Sequence, residues 1–251
     1  MFVRRLTTSL KEQHWMTIVI ELLIVIVGVF IGNWVNDWNQ AREEQREATT
    51  LVLNLRPQLE RLSAVEEGER AYYQITRRYA DVVLAALGGS HQVSDRDLVV
   101  AAYQASQVAG LPIDGQSLSM ALGADEVRKI DDPRLRDAII QMMTFNFGTL
   151  RADSMQTDYK KHVREIIPDV IQHAIRQSCG DRQDKDYLVL PANCTAALPA
   201  DTVARAALSL RAHPELADEL AYHEAQTDGF LDNLARFEIR VRALLALIDK
   251  R

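Results

Sequence analysis

The sequence predicts an all-α protein in which a single N-terminal transmembrane helix continues into an antiparallel helical bundle. Three observations carry this expectation. Residues 15–35, WMTIVIELLIVIVGVFIGNWV, contain one ionisable group, Glu21. Apolar residues then recur every three or four positions over most of the chain, the period of a helix with one buried face. The seven prolines in 251 residues fall mostly between these patterns. The composition, 47% apolar and 25% charged, is that of a folded protein. A net charge of −6 argues against nucleic acid as a partner. The expected division is a short cytoplasmic amphipathic segment at 1–14, a membrane span at 15–36 and a helical extracytoplasmic domain at 37–251.

Ahead of the span, Phe2, Leu6 and Leu10 would share one helical face, opposite Arg4 and Lys11. That pattern suits a short helix on the membrane surface, although so short a helix is marginal on its own. The span itself matches the roughly 20 residues that cross a hydrocarbon core. Trp15 and Trp34 mark its ends, with Trp38 just beyond, as interfacial aromatics do. A buried core helix is the competing reading, but no polar stripe runs along this segment. A cleaved signal peptide is the other. No small-x-small site follows the run, where Asn33-Trp34-Val35-Asn36 stands, so an uncleaved signal anchor is expected. Arg4, Arg5 and Lys11 before the span against Arg42 and Arg46 after it favour a cytoplasmic N-terminus.

Within the span, Glu21, Val25, Gly28 and Gly32 fall on one face. Gly28-x-x-x-Gly32 lets another helix backbone approach, and Glu21 beside it would be shielded from lipid by that neighbour. The lipid bilayer is thus one expected partner. A second copy of the chain or another membrane protein is the other.

Beyond Asn39 a helical stripe of Ala48, Leu51, Leu55, Leu59 and Leu62 is followed by a charged interval. The stripe resumes at Tyr72, Ile75, Tyr79 and Val82, with a kink expected at Pro57 and an end at Gly88-Gly89-Ser90. Ser94 and Asp97 open a helix near 95–108. A loop at Gly110 to Gly115 and a short helix near 116–130 follow. Asp132-Pro133, an N-cap with proline at the first helical position, opens a long helix expected from 133 to 166. Pro168 restarts it, and it ends near Cys179-Gly180. Residues 180–199 read as loop, with an extended piece at Tyr187–Leu190. Asp201 is the expected cap of a helix to Ala212, and Pro214 the start of the last.

That last helix carries a heptad seam: Leu216, Leu220, His223, Thr227, Phe230, Leu234, Phe237, Val241, Leu244 and Ile248. His223 and Thr227 are its polar members, read either as a ligand or pH-sensing site or as a register-setting layer. Cys179 and Cys194 are the only cysteines, and an even pair in a loop region suits a disulfide in an oxidising compartment.

The stretch Gly28-Val-Phe-Ile-Gly-Asn-Trp-Val-Asn-Asp-Trp-Asn-Gln-Ala-Arg42 resembles the hallmark of an uncharacterised bacterial family, a domain of unknown function with one N-terminal transmembrane helix. Glu21 is similar to an acidic position in that family's span, whereas Gln40 replaces its usual acidic residue. Ser117 to Arg136 and Ala206 to Arg211 are similar to two later segments. The resemblance implies an anchor plus a helical extracytoplasmic domain, here in the bacterial inner membrane with the domain in the periplasm. It implies no catalytic residues.

No phosphate-binding loop, dinucleotide fingerprint, nucleophile elbow or His-Glu-x-x-His occurs. His162 and His173 are eleven apart, which alone makes no metal site. Glu66-Glu67 reads as a solvated face. Neither catalysis, nor a cofactor, nor a bound metal is expected from spacing along the chain. The expected role is an accessory or scaffold subunit. The alternative is an extracytoplasmic sensor or ligand-binding module working with a separate signalling partner, since about 14 residues precede the span.

Overall fold

The computed structural model describes residues 15–89, 92–110, 124–151 and 155–250. The surface helix expected at 1–14, most of the loop 110–115 and the first part of the helix expected at 116–130 lie outside the described residues.

Helix α1, Trp15–Leu87, is unbroken over 73 residues, about 110 Å at 1.5 Å per residue. Pro57 lies inside it and cannot donate to the carbonyl of residue 53. Leu53 and Pro57 are both exposed, so water can take the freed carbonyl and the helix continues. The helix ends at Gly88-Gly89, where Gly89 has a φ of +68°, a conformation open to glycine at little cost.

Between α1 and the last helix, the described residues form six helices, a 3-10 turn and a hairpin. They are α2 (Asp95–Ala105), α3 (Ala124–Arg128), α4 (Pro133–Met143), the turn Phe147–Leu150, α5 (Asp158–Ile166), α6 (Asp169–Cys179), strands β1 (Arg182–Asp184) and β2 (Tyr187–Val189), and α7 (Ala200–Ala212). The last helix, α8 (Leu216–Ile248), packs along the part of α1 that lies in the bundle. Its direction is fixed by ion pairs. Arg77 meets Asp228 at 3.0 Å, Arg70 meets Glu238 at 2.6 Å and Arg56 meets Asp249 at 3.0 Å. Partner numbers rise on α8 as they fall on α1, so the helices are antiparallel. All ten residues of the α8 seam are buried, as the heptad pattern predicts.

On α1 the buried face starts at Ala48 and then runs Val52, Leu55, Leu59, Leu62, Glu66, Glu69, Tyr73, Thr76, Ala80 and Val83. That is an uninterrupted four-three alternation. The expected stripe through Ile75, Tyr79 and Val82 is therefore displaced: those three are only half-buried, and Tyr72 shares the core with Tyr73. The charged interval that separated two stripes is itself part of the seam.

Caps account for the shorter elements. Ser94 accepts from the Asp97 amide at 3.1 Å and donates to its carboxylate at 2.7 Å. Asp132 accepts from the Arg134 amide at 2.9 Å, with Pro133 at the first position of α4. The helix expected to run from 133 to 166 is broken. Asn146 accepts from the Gly148 amide at 3.1 Å and opens a 3-10 turn. Phe145 and Phe147 place their rings 5.1 and 5.4 Å from that of Phe237, which holds the chain in the turn against α8. Thr157 then caps α5. Asp201 does not cap α7: it lies in the first turn, and Pro199 occupies the cap position without a side-chain bond. Pro214 precedes α8 in a turn, and the helix begins at Leu216. The extended piece at 187–190 has a partner that the sequence reading assigned to loop, since β2 pairs antiparallel with β1, Gln183 opposite Leu188.

Candidate functional site

The predicted membrane face is unoccupied by the other described residues. Glu21, Val25, Gly28 and Gly32 lie on continuous helix, within an arc of about 60°. Every described side chain from Trp15 to Glu43 is exposed, Val25 at 62% and Phe30 at 71%. A methyl group added at Gly28 or Gly32 would meet nothing within 4 Å. Past the predicted span, the Arg42 guanidinium lies 4.2 Å above the exposed Trp38 ring, a cation–π contact. The bundle's first fastenings on α1 are Gln45 to Asp131 (3.1 Å) and Lys129 to Glu47 (2.6 Å). About nine residues of bare helix, roughly 14 Å, thus separate the predicted span from the bundle.

The core has two apolar clusters. One joins the lower bundle part of α1 to the C-terminal half of α8; the other gathers upper α1, α2, α5, α6, α7 and the start of α8. Buried polar groups lie along the α1–α8 seam and where the clusters meet. They include Glu66, Glu69, Thr76, Gln104, Thr157, His223, Glu224 and Thr227. His223 Nδ1 and Thr157 Oγ1 are 2.7 Å apart, and burial pushes the imidazole down to about 4. His223 is therefore neutral at physiological pH. Thr227 does not join it through side chains; its hydroxyl donates to the His223 carbonyl at 3.2 Å. Both are buried polar members of the α8 seam.

The acidic members escaped the sequence reading. Burial pushes the Glu66 carboxyl up to about 8, reinforced by Glu238 and opposed by Arg70 and Arg242. Glu69 is pushed up to about 7, by burial first and then by Asp181. Glu66 is 1% exposed rather than solvated, and neither of its oxygens has a hydrogen-bond partner. Glu224 is also buried, with Arg77 Nη1 3.0 Å away as an ion pair but poorly aligned for a hydrogen bond. The signal was present in the chain: continuing the four-three count past Leu62 lands on Glu66 and Glu69.

Cys179 and Cys194 are joined as a disulfide, with Cα atoms 5.3 Å apart. Gln104 donates to the Cys179 carbonyl at 2.6 Å and Arg96 to the Cys194 carbonyl at 3.2 Å, so α2 holds both ends. Tyr72 donates to Asp181 at 2.9 Å, and the exposed pair Arg61–Asp186 ties the hairpin to α1. The hairpin closes over Gly68, where any Cβ would overlap the Tyr187 ring. A groove of about 430 Å³ remains between α1 and the hairpin, beside Ala71, Tyr72 and Leu190. A second, about 310 Å³, lies between Arg78, Tyr79, Arg96 and Asn193. Neither is lined by histidine, serine or a free thiol.

At the other end of α1 from the span, three residues distant in sequence converge. His162 on α5, His213 at the end of α7 and Glu219 on α8 place ligand-type atoms within 4.8 Å of one another. His162 Nδ1 lies 2.8 Å from Glu219 Oε1, and this bond raises the imidazole above its ordinary value. The two histidine rings are 4.9 Å apart. The histidine that His162 meets is thus His213 and not His173. Spacing along the chain could not show this, because 51 and 57 residues separate His162 from its two neighbours.

No protein-family model, curated protein or solved structure matches the chain.

Proposed function

We propose that this chain is a single-pass membrane protein of the bacterial inner membrane that serves as a non-catalytic accessory or scaffold subunit, and that it belongs to the bacterial family it resembles around residues 21–42. Its partner contact is the Glu21/Val25/Gly28/Gly32 face. One observation carries the reading: a continuous apolar helix without a buried side chain leaves a folded bundle, and its small-residue face is open to close approach. Hydrocarbon covers such a surface in general. Only a second helix covers Gly28 and Gly32 closely and gives Glu21 a polar or protein-lined neighbour. The orientation, N-terminus cytoplasmic and bundle periplasmic, is supported by the Cys179–Cys194 disulfide, which persists in an oxidising compartment.

Native mass measured in mild detergent tests this. The wild-type chain is expected in a defined complex, with itself or with a co-purifying membrane protein. Gly28→Leu is expected to dissociate that complex while leaving the helical signal of the bundle unchanged. An unaltered monomer in both forms would sink the proposal.

A further inference from the structure

We infer that His162, His213 and Glu219 form a binding site for one borderline divalent transition-metal ion of the Zn²⁺ type, at the end of the bundle farthest from the span. The three come from separate elements: α5, the residue that ends α7, and the first turn of α8. Their ligand-type atoms lie within 4.8 Å of one another. A tetrahedral ion at about 2.1 Å from each donor spaces its ligands roughly 3.4 Å apart, so small rotamer adjustments close the set.

Two atoms in the trio are unexplained without an ion. His213 Nδ1 is buried and has no hydrogen-bond partner among the described residues. Glu219 Oε2 is likewise buried and unpartnered, on a side chain that is nine-tenths buried. Its other oxygen is occupied by His162. The contact between His162 and Glu219 holds two ligands in place, and Pro214 restricts the backbone directly after the third. Two imidazoles and one carboxylate select against calcium and magnesium, which take oxygen donors, and suit zinc, cobalt or nickel. Three protein ligands leave a fourth position for water or a partner's side chain. His162 is 29% exposed, so that position is reachable from solvent. An ion there would fasten α5 to the α7–α8 turn.

The test uses the full-length, tag-free protein in detergent, stripped with chelator and titrated with Co²⁺ and then Zn²⁺. Wild type is expected to take up one Co²⁺ per chain with a tetrahedral visible spectrum, to release it to Zn²⁺, and to show a higher Tm with zinc. His213→Ala and Glu219→Gln are each expected to weaken binding at least tenfold and to abolish the Tm shift, whereas His173→Ala keeps both. Circular dichroism establishes that each variant is folded, and should His213→Ala not fold, Glu219→Gln, which keeps size and shape, decides. No stoichiometric uptake by wild type, or uptake unchanged in the folded variants, overturns the inference.

Discussion

At the scale of the residue, Glu66 is the most consequential side chain in the bundle. It occupies a seam position between Leu62 and Glu69, is 1% exposed, and its carboxyl is pushed up to about 8 against an ordinary 4.5. The folded chain therefore keeps this proton over a range where the unfolded chain has lost it. Stability from Glu66 is fully present below about pH 4.5 and is lost as pH rises through 8. Glu69, pushed up to about 7, acts in the same sense. Glutamine cannot ionise, so Glu66→Gln is expected to leave Tm nearly unchanged at pH 5. At pH 8.5 it should stabilise by a few kcal/mol, on the order of 1.4 kcal/mol for each unit of pKa displacement relieved. Thermal melts of both proteins across that range measure it; parallel curves would refute the buried, protonated state. His223 works at the opposite limb, since its folded value of about 4 lies below 6.5, and stability is lost as pH falls between them. The α8 seam, polar members included, was legible from spacing alone, because one four-three rhythm runs through all ten residues. The α1 seam was not, because its rhythm passes through two glutamates. Charge was read as solvation there, although periodicity places the residue and charge only sets its energy.

At the scale of the element, the helix end that the sequence misjudged is one that a distant contact decides. Pro57 interrupts a hydrogen bond yet not the helix, because the freed carbonyl faces water. The stretch 143–151 carries an apolar pattern yet turns, with the Phe145 and Phe147 rings packed against that of Phe237. Neither outcome follows from local propensity. The hairpin shows the same dependence: a three-residue strand survives only because α1 offers Gly68 beneath Tyr187 and Arg61 beside Asp186. The disulfide closes a separation of 15 residues around this hairpin. Loop closure of that length stabilises by about 3 kcal/mol. Cys194→Ala is accordingly expected to lower stability by about 2–4 kcal/mol in chemical denaturation, with the hairpin and Asp181 loosening first. Thiol titration of the unreduced wild type should find no free cysteine. Two free thiols, or an unchanged midpoint for the variant, would remove the disulfide from this account.

At the scale of the whole molecule, one helix carries two kinds of surface. From Trp15 to Glu43 its described side chains are exposed and, to Val35, mostly apolar; from Ala48 it contributes one face to a core that includes Leu59 and Val83 at 0% exposure. The division is legible in the sequence because it is compositional: an apolar run without a stripe, then stripes. The convergence of His162, His213 and Glu219 is not legible, since it depends on how α5 and the α7–α8 turn meet. If the two halves of α1 answer to different solvents, they are separable. Removing residues 1–44 leaves every described buried residue of the α1 seam, the Lys129–Glu47 pair and the Arg56–Asp249, Arg70–Glu238, Arg77–Glu224 and Arg77–Asp228 ion pairs to α8. It removes the exposed apolar surface of the span. The shortened chain is expected to be soluble without detergent, helical by circular dichroism, and to melt within a few degrees of the full chain. It is also expected to sediment as a monomer, because the close-approach face at Gly28 and Gly32 is gone. A folded domain that still self-associates would place the partner contact on the bundle, and a chain that fails to fold would show that the span supports the core after all.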